Sequence, residues 1–180
     1  MPTGARLART SDADAIAGVQ QRAWRVQFAD LLPEHVLAGL DVRALADAWG
    51  ESIVRPPSPR HRVLVAIDGE TADGDMVIGY AAIGPETSPD ATGAGGELLD
   101  LVIDPTATGC GHGSRLMQAA VDHLRSSGCD TASTWIPLDD AARRSFLGSA
   151  GWGPDGAFRD LDVEGTIIRQ VRFVTDIAIA

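Results

Sequence analysis

Several residue types that mark particular classes of protein are scarce in this chain of 180 residues. The two cysteines, Cys110 and Cys129, are too few for a disulfide framework, so a reducing compartment, the cytoplasm, is expected. No uninterrupted apolar run approaches the ~18 residues of a membrane span, and the first residues carry no apolar signal region. The sequence therefore predicts a cytoplasmic protein with no membrane partner.

Positive charge is also in deficit. Twenty-five acidic residues against 15 basic ones give a formal net charge of −10. Such a surface repels phosphate backbones, so nucleic-acid binding is not expected. The charge is compatible with a cationic substrate such as an amine, and equally with a role in solubility alone.

The remaining composition, 44% hydrophobic and 22% charged, is ordinary for a globular protein, and 1–180 is interpreted as one domain. Local patterns predict the order β-α-α-β-β-β-α-β-α-β-β, which indicates an α/β or α+β fold with one mixed sheet of about seven strands and about four helices. The predicted strands are 5–9, 63–67, 76–83, 97–104, 131–136, 157–162 and 166–174. The predicted helices run from Ser11 or Asp12 to about 30, over 33–50 and 113–126, and from Asp139 or Asp140 to 150.

Three connections carry their own signals. The segment 68–75 is rich in Gly and Asp and predicts the turn of a hairpin. The segment 84–96 is polar and rich in Gly, Pro and Thr, which predicts a long, mobile hairpin loop. A final hairpin is expected to turn at Glu164 and Gly165.

The most informative segment is 98–117, which reads as a strand, a proline stop, a glycine-rich turn and a helix. Gly109, Gly111 and Gly113 alternate across the turn. Glycine lets backbone approach a ligand closely, and a helix that opens there presents unpaired N–H groups. Together these features predict an anion site, most often for phosphate.

Two common phosphate motifs do not fit this turn. A G-x-G-x-x-G fingerprint would need a third glycine where Ser114 or Leu116 stands. A P-loop would need Gly-Lys-Ser/Thr, but Gly113 is followed by Ser114 and Arg115. Dinucleotide and nucleoside-triphosphate binding are therefore both disfavoured.

The turn Thr108-Gly-Cys-Gly-His-Gly113, following a strand and Pro105, resembles motif A of the GNAT superfamily of acyl-CoA-dependent N-acetyltransferases. In that family a Q/R-x-x-G-x-G/A segment wraps the pyrophosphate of coenzyme A with backbone N–H groups. Thr108 stands where the family usually has Gln or Arg.

A downstream segment, Asp140-Ala-Ala-Arg-Arg-Ser-Phe-Leu-Gly-Ser-Ala-Gly-Trp152, is similar to the family's motif B, with Leu147 at the position of its usual tyrosine. Ala23-Trp-Arg25 and Leu31-Leu-Pro33 are typical of the family's first two helices. The resemblance implies the GNAT fold and acetyl-CoA as co-substrate. The implied cofactor-binding residues are Val102, Ile103, Thr108, Gly109, Cys110, Gly111, His112, Gly113, Ser114, Asp140 and Phe146.

The family's reaction, attack of an amine on a thioester, is assisted by a base. Glu97 is the candidate base because it precedes Pro105 by eight residues, where several family members carry a glutamate, and because apolar neighbours would raise its pKa. The alternative is an exposed residue at a strand end. The two-residue period of a strand places Asp100 on the opposite face. The only tyrosine, Tyr80, is the candidate acid, or else a buried structural aromatic.

Other side chains have a functional and a structural interpretation. Trp24 and Phe28 shape the acceptor pocket or fill the core. Arg143 and Arg144 reach cofactor phosphates or are solvated helix charges. Cys110 is a nucleophile or a small residue tolerated in the turn. His112 and His123 are eleven residues apart, roughly 16 Å along one helix, too far for one zinc ion.

The sequence thus predicts transfer of an acetyl group from acetyl-CoA to a primary amine, on a small molecule or a protein, by direct attack in a ternary complex. No metal is expected, and a homodimer is possible. Two alternatives stay open: a noncatalytic acyl-CoA sensor, and the use of another acyl-CoA donor.

Overall fold

The computed structural model describes residues 3–72 and 74–178. Within these ranges the strands are β1 Thr3–Leu7, β2 Arg62–Thr71, β3 Gly74–Pro85, β4 Gly95–Ile103, β5 Thr131–Pro137, β6 Gly153–Val163 and β7 Thr166–Asp176. The helices are α1 Ala13–Gln27, α2 Glu34–Ala38, α3 Val42–Val54, α4 His112–Ser126 and α5 Ala141–Ser149. None of these helices is both long and apolar enough to cross a membrane. Short 3₁₀ turns at Thr10–Asp12 and Pro105–Ala107 precede α1 and follow β4.

The predicted element order is confirmed with one difference in the helices. The helix predicted over 33–50 is two helices, α2 and α3. Gly39 ends α2, and Asp41 begins α3 because its carboxylate accepts a hydrogen bond of 2.9 Å from the backbone N–H of Arg43. The break adds a fifth helix to the four predicted.

The hairpin turns follow their predictions closely. Glu164 and Gly165 both take positive φ angles, +50° and +85°, as a two-residue hairpin loop of type I′ requires. The turn predicted over 68–75 is shorter, because β2 continues to Thr71 and β3 begins at Gly74. Asp73, within that predicted turn, lies outside the described residues.

The seven strands form one mixed sheet in the order β1-β2-β3-β4-β5-β7-β6. β4 and β5 are its parallel pair, and they pair only where Gly95–Glu97 faces Thr131–Ser133. Beyond Glu97 the two strands separate. This separation opens a cleft in the middle of the sheet, with the free edge of β4 on one side.

A β-bulge on β4 lies at the mouth of this cleft. Leu98 pairs with Ile83 and Asp100 with Ala82, so that Leu99 is the extra residue. Regular alternation predicted that Asp100 and Glu97 lie on opposite faces. That prediction is wrong, because the extra residue shifts the alternation and brings both carboxylates to one face.

The sheet separates two hydrophobic cores. The first packs α4 and α5 against one face and includes Leu116, Leu124 and Leu147. The second packs α1 and α3 against the other face and includes Ile16, Val65 and Tyr80. Because Val102 belongs to the second core and Ile103 packs against the first, β4 is held from both sides.

The loop predicted over 84–96 is anchored by the buried side chain of Arg172 on β7. Its guanidinium donates to Asp90 at 2.6 Å and to Glu86 at 3.2 Å, both in this segment, and to Asp155 on β6 at 2.7 Å. The composition of the segment, from which mobility is expected, does not reveal this contact, because Arg172 lies far along the chain. Arg172 therefore ties the loop to the β6–β7 hairpin.

Candidate active site

The glycine-rich turn before α4 presents a row of unpaired backbone N–H groups. Gly109 and Gly111 take φ angles of +75° and +80°, and Gly111 is the N-cap of α4. The first backbone hydrogen bond of the helix is donated by the Arg115 N–H to the Gly111 carbonyl at 3.2 Å. Within the described residues, no hydrogen bond starts from the amides of residues 108–114. The turn therefore has the donor geometry that a pyrophosphate needs.

The side chains of this turn are engaged elsewhere or point to solvent. His112 is buried, and its Nε2 lies 3.5 Å from Asp68 Oδ2. The exposed Cys110 thiol contacts the Thr108 carbonyl at 3.6 Å, and the Thr108 hydroxyl donates to Pro105 O at 3.3 Å. Ser114 is exposed beside them. An anion at this turn would consequently meet backbone N–H groups rather than side chains.

The start of α4 lies close to α5. A Cβ added at Gly113 would stand 3.6 Å from Phe146 Cζ and 3.7 Å from Ile103 Cγ1. Asp140, predicted to bind the cofactor, caps α5 by accepting from the Arg143 N–H at 2.9 Å. Phe146 therefore links the glycine turn to the cleft, and Asp140 orients the helix that carries it.

The cleft between β4 and β5 begins at this point. Its walls are the segments 98–101 and 134–136, together with Met117, Arg143, Phe146 and Leu147. The Thr134 hydroxyl donates to Leu98 O at 2.8 Å, which satisfies the first carbonyl after the strands part. Beyond it, the backbone of Val102 and Ile103 pairs with β3 on one side only, so its other edge is free to pair with an extended ligand.

Glu97 lies at the point where β4 and β5 separate. Its side chain is 5% exposed, which rules out the alternative of a solvated strand end, and its Oε2 has no partner among the described residues. Burial raises the pKa of Glu97, while hydrogen bonds from Thr87 and the charge of Arg159 act against this rise. A carboxyl group with a raised pKa in such a place suits proton transfer.

Asp100 lies beyond the bulge, on the same face as Glu97. Its Oδ2 accepts from the Tyr80 hydroxyl at 2.9 Å, and its Oδ1 is 4.0 Å from Arg143 Nη2. Burial raises the pKa of Asp100, while Arg143 and the Tyr80 hydroxyl oppose the rise. The side chain keeps 24% of its accessible surface, and this surface opens into a cavity.

Tyr80, the candidate acid, is completely buried and packs on Trp49 at a centroid distance of 4.8 Å. Burial and the Asp100 carboxylate raise the pKa of its hydroxyl. A phenol with a raised pKa is a weaker acid, and this one already donates to Asp100. The geometry favours a positioning role for Tyr80, so its role as the acid stays an untested prediction.

The cavity beside Asp100 has a volume of about 310 Å³. Trp24 and Phe28, the predicted pocket residues, both line it and meet edge to face at 5.7 Å. The neighbouring segment around α2 adds Leu32, Val36, Leu37 and Leu40. The strands add Leu99, Trp135, Pro137, Leu161, Val163 and Ile168. The cleft and the cavity share four lining residues, Leu99, Asp100, Trp135 and Arg143, and are therefore adjacent.

Comparison with known proteins places this arrangement in a family. The sequence profile of the Acetyltransferase (GNAT) family matches residues 24–152, well over half of the chain. The chain belongs to the GNAT family of acetyltransferases. A search of curated proteins finds no match.

Solved structures share the GNAT fold along the whole chain. The yncA protein of Salmonella typhimurium, solved with acetyl-CoA, is 20% identical with a TM-score of 0.71 and covers 100% of this chain and 96% of its own. PaiA N-acetyltransferase of Thermoplasma acidophilum, solved with coenzyme A, is 16% identical with a TM-score of 0.67 over 98% and 99%. The ribosomal-protein-alanine N-acetyltransferase of Brucella melitensis is 21% identical with a TM-score of 0.69 over 96% and 98%. At these identities the likeness concerns the fold.

Two GNAT motif positions differ in this chain, and each has a place in the structure. Leu147, at the usual tyrosine, is 3% exposed and lines the cleft without a proton to donate. Thr108, at the usual Gln or Arg, uses its hydroxyl within its own turn. Within 3–72 and 74–178, no cluster of His, Cys, Asp and Glu is arranged to hold a metal ion.

The sequence reasoning missed two residues of this GNAT site. Asp100 was placed on the wrong face because no local signal marks the bulge. Trp135, on β5, was read only as part of a strand, and it lines both the cleft and the cavity.

Proposed function

We propose that this protein transfers an acetyl group from acetyl-CoA to a primary amine by direct attack in a ternary complex. The observation that carries the proposal is a continuous path of lining residues: the amide-rich turn meets Phe146, Phe146 lines the cleft, and the cleft adjoins the cavity at Asp100. A thioester held by the turn and cleft would face an amine held in the cavity.

Acetyl-CoA supplies an activated thioester carbonyl. Glu97 is the proposed base. Because it lines neither the cleft nor the cavity, it accepts a proton from the attacking ammonium through water, so that the nitrogen lone pair becomes available. The new C–N bond then forms at the acetyl carbon, the C–S bond breaks, and the nitrogen releases its second proton to solvent to give the neutral amide. The raised pKa of Glu97 brings it closer to the pH at which such a base operates.

The other charges of the reaction fall to the backbone. A free N–H on the open edge of β4 near Val102 and Ile103 polarises the acetyl carbonyl. Because Leu147 offers no proton, the N-terminus of α4 is proposed to stabilise the departing thiolate, with solvent as the final proton source.

The noncatalytic sensor is the second candidate, and Leu147 is the observation that favours it. A protein that holds acyl-CoA without an acid at the usual place would bind the ligand and leave it intact. Another acyl-CoA donor, such as succinyl-CoA, is the third candidate. Both make distinct predictions in the experiment that follows.

The experiment measures free coenzyme A and acetylated amine by mass spectrometry, with a panel of primary amines and acyl-CoA donors. Thiol reagents are avoided because Cys110 is exposed. The 15 basic residues are all arginine, so no lysine side chain competes as an acceptor. Turnover with acetyl-CoA is expected; tight binding of acetyl-CoA without turnover of any amine would instead establish the sensor.

The base is tested with Glu97→Gln against Asp122→Asn, an exposed carboxylate on α4. A base acts in its deprotonated form, so kcat/KM of the wild type rises as pH rises through the raised pKa of Glu97. The Glu97→Gln variant is expected to lose most activity and the part of this acidic limb that Glu97 contributes, whereas Asp122→Asn keeps both. An unchanged pH profile in Glu97→Gln would remove Glu97 as the base.

Three further expectations stay predictions. They are the single domain over 1–180, the cytoplasmic location and a homodimer. Size-exclusion chromatography with light scattering tests the last of these.

A further inference from the structure

The charges at the cavity are confined to one end of it. Asp100 and Arg143 are the charged residues in its lining, and their side chains approach to 4.0 Å. Asp140 adds a second carboxylate, 3.6 Å from Arg143 Nε. When both carboxylates are ionised, they outnumber the single guanidinium here, and the excess negative charge favours a single cation.

Arg143 is partly occupied by groups of the protein. Its Nη2 donates to Gln27 Oε1 at 2.7 Å and approaches Leu101 O at 3.5 Å. Asp100 is different. The Tyr80 hydroxyl donates to its Oδ2 only, and its Oδ1 lies 4.0 Å from Arg143 Nη2, which is beyond hydrogen-bond distance. The Asp100 carboxylate lines the cavity and keeps 24% of its side-chain surface, so it remains accessible to a cation bound there.

The rest of the cavity wall is apolar apart from Gln170. Val36, Leu37 and Leu40 come from the α2 region, and Leu161, Val163 and Ile168 from the β6–β7 hairpin. A second ammonium group placed here would lose its water without gaining a counter-charge. A carboxylate next to the amine would meet the net negative end.

Resting on the proposed function, we propose that the acceptor is a monoamine carried on an apolar group, with its ammonium bound by Asp100 and its apolar group in the cavity under α2. The same charges disfavour diamines and α-amino acids as acceptors. Asp100 binds and orients the amine, while the proton and bond changes remain those of the transfer proposed above.

The test compares matched amines with acetyl-CoA: pentylamine, ethylamine, 1,5-diaminopentane, and 3-methylbutylamine against leucine. Pentylamine is expected to exceed ethylamine in kcat/KM by roughly fiftyfold, the effect of three further buried methylene groups. It is expected to exceed 1,5-diaminopentane at least tenfold, as 3-methylbutylamine exceeds leucine. Equal or better use of the diamine or of leucine would overturn the proposal.

Two variants address the residues. Asp100→Asn is expected to raise KM for pentylamine at least tenfold with a smaller change in kcat, the reverse of the split expected for Glu97→Gln. Val36→Glu places a carboxylate at the apolar end and is expected to shift preference towards 1,5-diaminopentane, whereas Val36→Gln, of the same size, does not. If Val36→Glu and Val36→Gln behave alike, charge in the cavity does not select the acceptor and the proposal fails.

Calorimetric binding of the same amines in the presence of coenzyme A separates this inference from the proposed function. Pentylamine binding in the expected order without any acetylation would refute the transferase and leave the pocket assignment standing. Acetylation of other amines, with pentylamine neither bound nor acetylated, would refute the pocket assignment and leave the transferase.

Discussion

The two ends of the cleft are built in opposite ways. At the cofactor end, residues 108–114 are consecutive, exposed for the most part, and offer backbone N–H groups. At the acceptor end, the cavity draws its wall from α1, α2, β4, β5, α5 and the β6–β7 hairpin, and it offers side chains. A local segment therefore makes the proposed anion site, whereas the proposed acceptor site exists only when six distant elements meet.

The two ends therefore depend on different kinds of interaction. Positive φ angles at Gly109 and Gly111 hold the cofactor end, and a single residue change acts there directly. Long-range ion pairs and packing hold the acceptor end. Trp135 in the cavity wall lies under Arg159 at 4.5 Å and near Arg172 at 5.6 Å, so charges outside the cavity position its aromatic surface.

The largest effect is expected from Arg172→Met. Removing the buried cation leaves Glu86 and Asp155 without their ionic partner, and the exposed Asp90 loses its partner as well. The expected loss is about 3 kcal/mol of unfolding free energy. Arg169→Met is the control, because its pair with Asp160 is exposed and screened by solvent, so that its loss is expected to be much smaller. Thermal or urea unfolding measures both. Equal losses in the two variants would contradict the anchoring role.

The same variant has a pH signature. Arg172 holds the pKa of Asp90 below its usual value. At Asp155 burial raises the pKa, but the hydrogen bond and charge of Arg172 outweigh it, so that this pKa is lowered as well. A carboxyl group whose pKa is lowered by folding stabilises the fold at pH values above its pKa in the unfolded chain, about 3.9. This stabilisation is lost as the pH falls through the lowered pKa. The gap in unfolding free energy between wild type and Arg172→Met is therefore expected to narrow below about pH 4.

The second effect tests the cofactor end with two glycines of nearly equal geometry. Gly109 and Gly128 have φ angles of +75° and +82°, and no atom lies within 4 Å of a Cβ built at either. Valine at either position strains the backbone by about 1–3 kcal/mol. Only Gly109→Val is expected to weaken coenzyme A binding, by roughly 10–100-fold, because it displaces the amides of the turn. Similar binding losses in both variants would mean that strain alone acts.

The third prediction concerns Tyr80→Phe. The hydroxyl stabilises the Asp100 carboxylate, so its removal raises the pKa of Asp100 further and moves the acidic limb of kcat/KM for an amine to higher pH. A fall of roughly tenfold near neutral pH is expected, the value of one hydrogen bond to a charged group. If Tyr80 were the acid, kcat would fall at every pH without a shifted limb.

The smallest effect is expected from His35→Gln. His35 on α2 and Glu164 at the β6–β7 turn meet at 3.0 Å across two elements that line the cavity, and both are exposed. Such a pair contributes at most about 1 kcal/mol, so KM for the amine should rise by less than about fivefold. Addition of salt to the wild type is expected to give the same change. A larger loss would indicate that the pair closes the cavity.

Much of the fold and the cofactor end could be predicted from residue order. Glycine spacing, the proline after β4 and the helical pattern of 113–126 are local features, and the structure keeps each of them. The break at Gly39 and Asp41 was missed although its capping residue was visible, because the apolar spacing of 33–50 continues across it.

The acceptor end could not be predicted in the same way. A bulge on β4 depends on how β3 pairs with it, so the face of Asp100 is decided by a neighbouring strand. The order of the loop 84–96 depends on Arg172, which follows it by many residues along the chain. Neither β3 nor Arg172 produces a recognisable pattern in the sequence next to the residues that it positions.

The sequence by itself determined the geometry of the glycine-rich turn, since positive φ at glycine and free amides at a helix start are properties of a few adjacent residues. Only the tertiary structure decided which carboxylate meets the cavity and which charges surround it. The separation of β4 from β5 and the bulge at Leu99 are products of strand pairing, and pairing is a long-range event.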